Sequence, residues 1–178
     1  EGGMAVTNCD VTAKRINQLR SHGVTRELSE LKDRSQGHWF YEQQALGFNY
    51  RMTELQAALG ISQLNRLDQF VSKRNQLAQK YITALAYLPI EVQALCPKSY
   101  SSYHLMIIRV TEQAKLTRAE LFEYLRAEGV GVNVHYIPIH LQPYYQRLGF
   151  IKGQFPNAEN YYQQCISLPL YPDLSEQD

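Results

Sequence analysis

The strongest periodicity in the chain runs from Leu55 to Leu85. Leu55, Leu59, Leu64, Leu67, Val71, Leu77, Tyr81 and Leu85 follow one another mainly at steps of three to five residues, the spacing of a broad apolar stripe on one side of a helix. Thr53 stands just before this run and Gln56 three residues after it, a capping box in which each side chain satisfies the other's backbone N–H. Pro89 closes the segment. Read as one helix to Leu88, it would span roughly 50 Å, a length suited to joining two domains or subunits. Gly60 falls inside it and costs about 1 kcal/mol relative to Ala. Close packing against another backbone is the compensation to expect there.

Other elements are shorter. "EGGMAVTN" reads as a loop entering a strand, and Asn8 or Asp10 can cap a helix over 11–22, with Ile16 and Leu19 on its buried side and Gly23 ending it in the left-handed conformation. Residues 25–46 lack a period and read as irregular. After Pro89 the run "SSYHLMIIRV" (101–110) predicts a strand. "TRAE" at 117–120 is a second capping box, opening a helix with Leu121, Phe122 and Leu125 on its apolar face and Gly129 at its end. "VGVNVHY" then alternates, with Val130, Val132, Val134 and Tyr136 on one face, which predicts a second strand. "IPIHLQPYYQRLGF" reads as a proline-broken loop, and "PNAENYYQQCISLPL" as a helix running into an extended piece. The organisation expected is a first part over 1–46, a connecting helix over 47–88 and a small α+β domain over 89–178.

Composition narrows the function classes. Hydrophobic residues are 44% and charged residues 20% of the 178, so a packed core is available and disorder is not expected. Eighteen Lys and Arg nearly cancel 17 Asp and Glu, which argues against a nucleic-acid partner, although a small phosphorylated ligand needs only one or two local cations. The three cysteines, Cys9, Cys96 and Cys165, are far apart and odd in number, so a disulfide framework is not expected and a reducing, cytoplasmic setting is. No CxxC pair is present, and no apolar run reaches the length of a membrane span. The chain opens without an initiator Met, which leads us to expect a fragment or a processed chain.

The most distinctive chemistry precedes the long stripe. In "GFNYRMTELQAALG" an amide, an aromatic ring and a guanidinium sit just before a helix start, where unpaired N–H groups and the helix dipole favour an anion. Asn49 can donate two hydrogen bonds and Arg51 can grip a phosphate bidentately. A helix entry stitched together by surface polar groups accounts for the same residues, so spacing alone leaves both readings open. "VHYIPIH" places His135 and His140 around a proline-stiffened loop. Neither lies in a metal-ligand motif and no carboxylate is near in sequence, so a metal pair is not expected. They and Tyr136 can line a cleft or simply pack. His104 in "SSYHL" reads as a buried, hydrogen-bonded histidine, and no G-x-S-x-G supports a serine hydrolase.

Taken in order, "EGGMAVTN", "LRSHG", "GFNYRMTELQAALGISQLNRLDQFVSKRNQLAQKY", "SSYHL", "VNVHYIPIHLQPYY" and "SLPLYPDLS" resemble the DegT/StrS nucleotide-sugar aminotransferases over nearly the whole chain. Within them, "HYIPIHLQPYY" looks most like the enzymes making UDP-4-amino-4,6-dideoxy sugars for pseudaminic acid and related glycans. The resemblance implies the α/β fold of type I pyridoxal-phosphate (PLP) transferases. This chain would then hold the end of the large domain, a long connecting helix and a small α+β C-terminal domain. It also implies a homodimer with sites at the subunit interface, a nucleotide-sugar substrate and glutamate as amino donor. Asn49 would reach the cofactor phosphate held by the partner subunit. Arg51 would stand near the sugar nucleotide, and His135, Tyr136 and His140 would border the substrate cleft.

The family's Schiff-base lysine belongs to a motif that would end where this chain begins. None of Lys14, Lys32, Lys73, Lys80, Lys98, Lys115 and Lys152 matches that motif, so no catalytic residue is assigned and the chain by itself is expected to be inactive. Two alternatives accompany this reading: a non-catalytic dimerisation or binding module, and a dehydratase of the same family in which His replaces the lysine.

Overall fold

A computed structural model describes residues 2–175, so the outermost residues of the expected first and last segments lie outside it. The chain forms two compact units, residues 1–65 and 66–178.

The first unit has little core of its own. Helix α1 (Asp10–Leu19) is capped at the Cys9 position, with Asp10 inside its first turn, where a carboxylate favours the dipole. Neither Asn8 nor Asp10 is the cap, and the helix stops three residues earlier than expected. His22 and Gly23 both turn left-handed, at φ 62° and 70°, and the Gly23 N–H returns to the Gln18 carbonyl at 2.9 Å. Ile16 and Leu19 are half-buried. Residues 2–8 form no strand. The region expected to be irregular contains a short antiparallel ladder, β1 (Val24–Thr25) with β2 (Glu42–Gln43). The Glu42 carboxylate gathers the N–H groups of Lys32 and Asp33 at 3.0 Å. Those bonds, Lys32 first, hold it below the ordinary carboxylate range. Leu31 is the buried large side chain here, while Met4, Trp39, Leu46, Leu55, Leu59 and Leu64 are exposed.

The expected 50 Å helix is two helices. α2 (Glu54–Leu64) opens on the capping box read from the sequence, with Gln56 N–H donating to Thr53 Oγ1 and Thr53 N–H to Gln56 Oε1. α3 (Leu67–Leu85) starts after Arg66, whose φ −107°, ψ 3° leaves helical space. Leu55, Leu59, Leu64 and Leu67 of the stripe are exposed, and α2 ends at Asn65, a weak helix former. A Cβ added at Gly60 meets no heavy atom within 4 Å, so the close backbone packing expected there is absent among the described residues.

The second unit is a three-stranded antiparallel sheet in the order β3 (Ile90–Val92), β4 (Met106–Val110), β5 (Cys165–Leu168). Burial along β4 alternates, with Met106, Ile108 and Val110 buried, the period-2 signature of a sheet with one fully covered face. α3 covers part of that face through Leu77, Ala78, Tyr81 and Ile82. α4 (Arg118–Ala127) covers the rest through Leu121, Phe122 and Leu125, against Ile108, Val110, Val132 and Ile166. The second capping box, Thr117 with Glu120, starts α4, and Gly129 follows it at φ 83°. α5 (Pro143–Gln146) interrupts the proline-rich loop, and α6 (Pro156–Gln164) runs directly into β5.

The alternating segment "VGVNVHY" is not a strand. Only Asn133 bridges to β5, at Ser167. The N–H of Val134, the residue after the Asn133–Ser167 pair and so directed away from β5, is taken by the Asn133 side chain at 2.8 Å. Val130 and Val132 still pack into the core.

Candidate functional site

In the first unit, residues 48–50 run antiparallel to the end of α1. Phe48 N–H donates to Leu19 O, His22 N–H to Phe48 O and Tyr50 N–H to Arg20 O, at 2.7–2.9 Å. Two glycines allow this close pairing. A Cβ at Gly47 would lie 2.2 Å from Gly23 N, and one at Gly23 would lie 1.9 Å from Ala45 O. The rings of Phe48 and Tyr50 stack at 4.9 Å, which puts the Asn49 side chain on the opposite side of the extended backbone. Asn49 is exposed, four residues before the cap of α2. Arg51 lines an open cleft of about 1120 Å³ with Lys14, Arg15, Arg26, Glu27 and Glu30; Asn49 is not on its wall. Four cations there face two carboxylates. One of these, Glu30, is ion-paired with Lys14 and accepts from Thr25 Oγ1 at 2.7 Å; Lys14 first and Thr25 second hold its carboxyl below the ordinary range.

In the second unit, His135 and Tyr136 are side by side, their rings edge to face at 4.5 Å. His135 is half-buried with Nδ1 2.7 Å from Ser167 Oγ, and Tyr136 is 71% exposed. His140 is turned the other way. It is 7% exposed, its Nε2 lies 2.8 Å from Glu159 Oε1, and its ring packs edge-on against Phe155 at 4.8 Å. The same Glu159 oxygen accepts the Gly153 N–H at 2.7 Å. His140 thus ties its loop to the first turn of α6 instead of facing solvent. His104, expected to be buried, is exposed, and its carbonyl accepts from Arg74 at 3.3 Å.

Two partners in this region, Glu159 and Ser167, come from far along the chain. Glu159 is 19 residues from His140 and Ser167 is 32 from His135, so no local spacing links them. The only signal was chemical: a carboxylate in the first turn of an apolar-faced helix and a hydroxyl in a strand otherwise made of Cys, Ile and Leu.

The hydrogen bond from His140, aided by the Gly153 and Phe155 N–H groups, holds the Glu159 carboxyl below its ordinary range against the cost of burial. A depressed folded pKa stabilises the fold at pH above the ordinary carboxylate range. That contribution is lost as pH falls through that range toward the folded value. Acidification should therefore release the Gly153 amide before β4 and β5 open, and Glu159→Gln should remove this pH dependence. Amide exchange at Gly153 as a function of pH checks both; equal acid sensitivity in the two proteins would refute the assignment.

The profile of the DegT/DnrJ/EryC1/StrS aminotransferase family matches residues 1–178. The chain belongs to that family. Spore coat polysaccharide biosynthesis protein SpsC of Bacillus subtilis is 38% identical over all of this chain and 46% of its own length. Helicobacter pylori PseC, an aminotransferase involved in the biosynthesis of pseudoaminic acid, superposes with TM-score 0.79 at 31% identity, over 96% of this chain and 44% of PseC. The PLP form of Spr1654 from Streptococcus pneumoniae gives TM-score 0.81 at 28% identity, over 98% of this chain and 42% of that one. This DegT/StrS chain therefore spans about half the length of the curated relatives it matches, and its fold is part of the larger PLP-dependent aminotransferase fold. No helix among its described residues is long and apolar enough to cross a membrane.

Proposed function

We propose that the protein contributes the C-terminal part of a PLP-dependent aminotransferase that moves an amino group from glutamate to a 4-keto-6-deoxy nucleotide sugar, in the cytoplasm, for cell-surface glycan synthesis. The observation that carries this reading is the corner at 47–51. Its backbone is pinned at both ends by the Gly23–Gly47 crossing and the bonds to α1, while the Asn49 side-chain amide, four residues before the cap of α2, is exposed and has no partner among the described residues. That arrangement fits a phosphate: an exposed double donor on a rigid backbone close to a positive helix end. When bound, PLP supplies the electron sink that lets an amino group leave one carbon and join another.

The residues of this chain then divide the remaining work. Asn49 donates to an oxygen of the cofactor phosphate in the partner subunit's site. Arg51 faces an anionic group of the sugar nucleotide, in keeping with the cationic balance of its cleft. His135 and Tyr136 meet polar groups of the sugar, and His140 supports them by fixing the loop through Glu159. A homodimer fits the exposed stripe of α2, with Leu55, Leu59 and Leu64 outward and open space over Gly60. The same stripe favours, as a second reading, a module that associates without cofactor.

In the full-length enzyme Asn49→Ala should weaken PLP retention about tenfold, the factor carried by one hydrogen bond to a charged group. Asn49→Asp should weaken it further by placing a carboxylate against a phosphate. Equilibrium dialysis followed by cofactor absorbance measures this, and unchanged retention in both variants would overturn the phosphate role.

A further inference from the structure

Ser167 lies in β5 and is 5% exposed. Its N–H and C=O are both taken by Asn133, at 2.8 and 3.1 Å, and Ile107 of β4 stands across from it. The hydroxyl is the polar group left over, and it lies 2.7 Å from Nδ1 of His135. Pairing at Asn133 brings His135, two residues on, diagonal to Ser167. One histidine thus has a backbone anchor two residues upstream and a side-chain pin on its own ring.

We propose that Ser167 is a positioning residue: its hydroxyl donates to Nδ1 of His135, holds the ring as the Nε2–H tautomer, and so presents a fixed donor to an acceptor oxygen of the nucleotide sugar. The substrate half of this inference rests on the reading above that His135 borders the sugar. The direction of the bond follows from satisfaction. Were Nδ1–H the donor, the hydroxyl proton of Ser167 would need another acceptor, and among the described residues Oγ has no other partner. A buried hydroxyl proton without an acceptor is costly, whereas an unused hydroxyl lone pair is not. With Nδ1 accepting, the proton sits on Nε2, across the ring from the pin and without a partner among the described residues. Tyr136, edge-on to the same ring at 4.5 Å, limits its rotation. A histidine held in this way recognises acceptors and rejects donors, which would make Ser167 a determinant of which sugar oxygen is read.

The test uses the full-length holoenzyme labelled with ¹⁵N. Long-range ¹H–¹⁵N correlation, at a pH where the imidazole is neutral, should show His135 protonated at Nε2. Ser167→Ala should convert this to a tautomer mixture, and Ser167→Thr, which keeps the hydroxyl, should restore it. KM for the nucleotide sugar should rise roughly tenfold in Ser167→Ala with kcat within about twofold, the factor of one neutral hydrogen bond, and Ser167→Thr should recover most of it. A wild-type ring protonated at Nδ1, or a tautomer unchanged in Ser167→Ala, overturns the pin. His135→Gln, whose amide N–H reproduces the Nε2 donor, should keep KM closer to wild type than His135→Ala. An unchanged KM in His135→Ala overturns the substrate role instead, while the tautomer measurement still decides the pin.

Discussion

Ile166→Ala should destabilise the sheet unit by about 2–5 kcal/mol. Ile166 is completely buried in the middle of β5, with Ile108, Val110 and Val132 around it and Leu121, Phe122 and Leu125 of α4 above. It belongs to the core that the sheet and α4 share, so truncation leaves a hole that neither rigid element can move to fill. The lost transfer free energy and the cavity term then add. A midpoint fall of roughly 10 °C or more in thermal unfolding is expected, with faster amide exchange in β4 and β5. Ile166→Val, which removes one methyl(ene) group, should cost about 0.5–1.5 kcal/mol. Leu148→Ala, at a side chain 61% exposed, should fall within about 0.5 kcal/mol of wild type. A similar shift for all three variants would mean that this core is not where the unit's stability lies.

The parts of this fold that could be read from sequence are those fixed by neighbours a few residues away. Both capping boxes, Thr53 with Gln56 and Thr117 with Glu120, form as the i, i+3 spacing requires, because cap and partner lie in one turn of backbone. Gly23 and Gly129 adopt the left-handed geometry expected of residues that end helices. The strand at Met106–Val110 falls inside the run 101–110 that predicts one, with Met106, Ile108 and Val110 buried on one face. What failed was set by partners far along the chain or by local competition. The single long helix breaks at Arg66, whose backbone leaves helical space directly after Asn65, a weak helix former. "VGVNVHY" alternates like a strand, yet within it only Asn133 pairs with β5. At the candidate site, Asn49 and Arg51 were visible as a polar corner before a capped helix. The division of the histidines, His135 toward Ser167 and His140 toward Glu159, depended on contacts that no spacing announces.

Arg74 is a second case of a long-range partner, and its removal should have the other large effect on the unit. From α3 its Nη1 donates to the carbonyls of Tyr103 at 3.2 Å, His104 at 3.3 Å and Leu170 at 2.8 Å. These carbonyls belong to the segments entering β4 and leaving β5, and the neighbouring Asn75 Nδ2 adds Ser101 O at 2.9 Å. Tyr103 is 7% exposed and sits at φ 44°, a left-handed conformation that costs a non-glycine residue about 1–2 kcal/mol. A charged donor on its carbonyl offsets that cost. Arg74→Met keeps the apolar stem and removes the donor. It should cost about 2–3 kcal/mol, as expected for hydrogen bonds to a charged group that leave partly buried carbonyls unpaired. Lys73→Met is the contrast one residue away: its ion pair with Asp173 is 3.8 Å long and exposed on both sides, so less than about 1 kcal/mol should be lost. Denaturant unfolding ranks the two variants. An Arg74→Met loss no larger than that of Lys73→Met would show that the segments at 101–104 and 169–170 are held by the packing of Tyr103, Met106 and Leu170 against Ala78, with the guanidinium adding nothing.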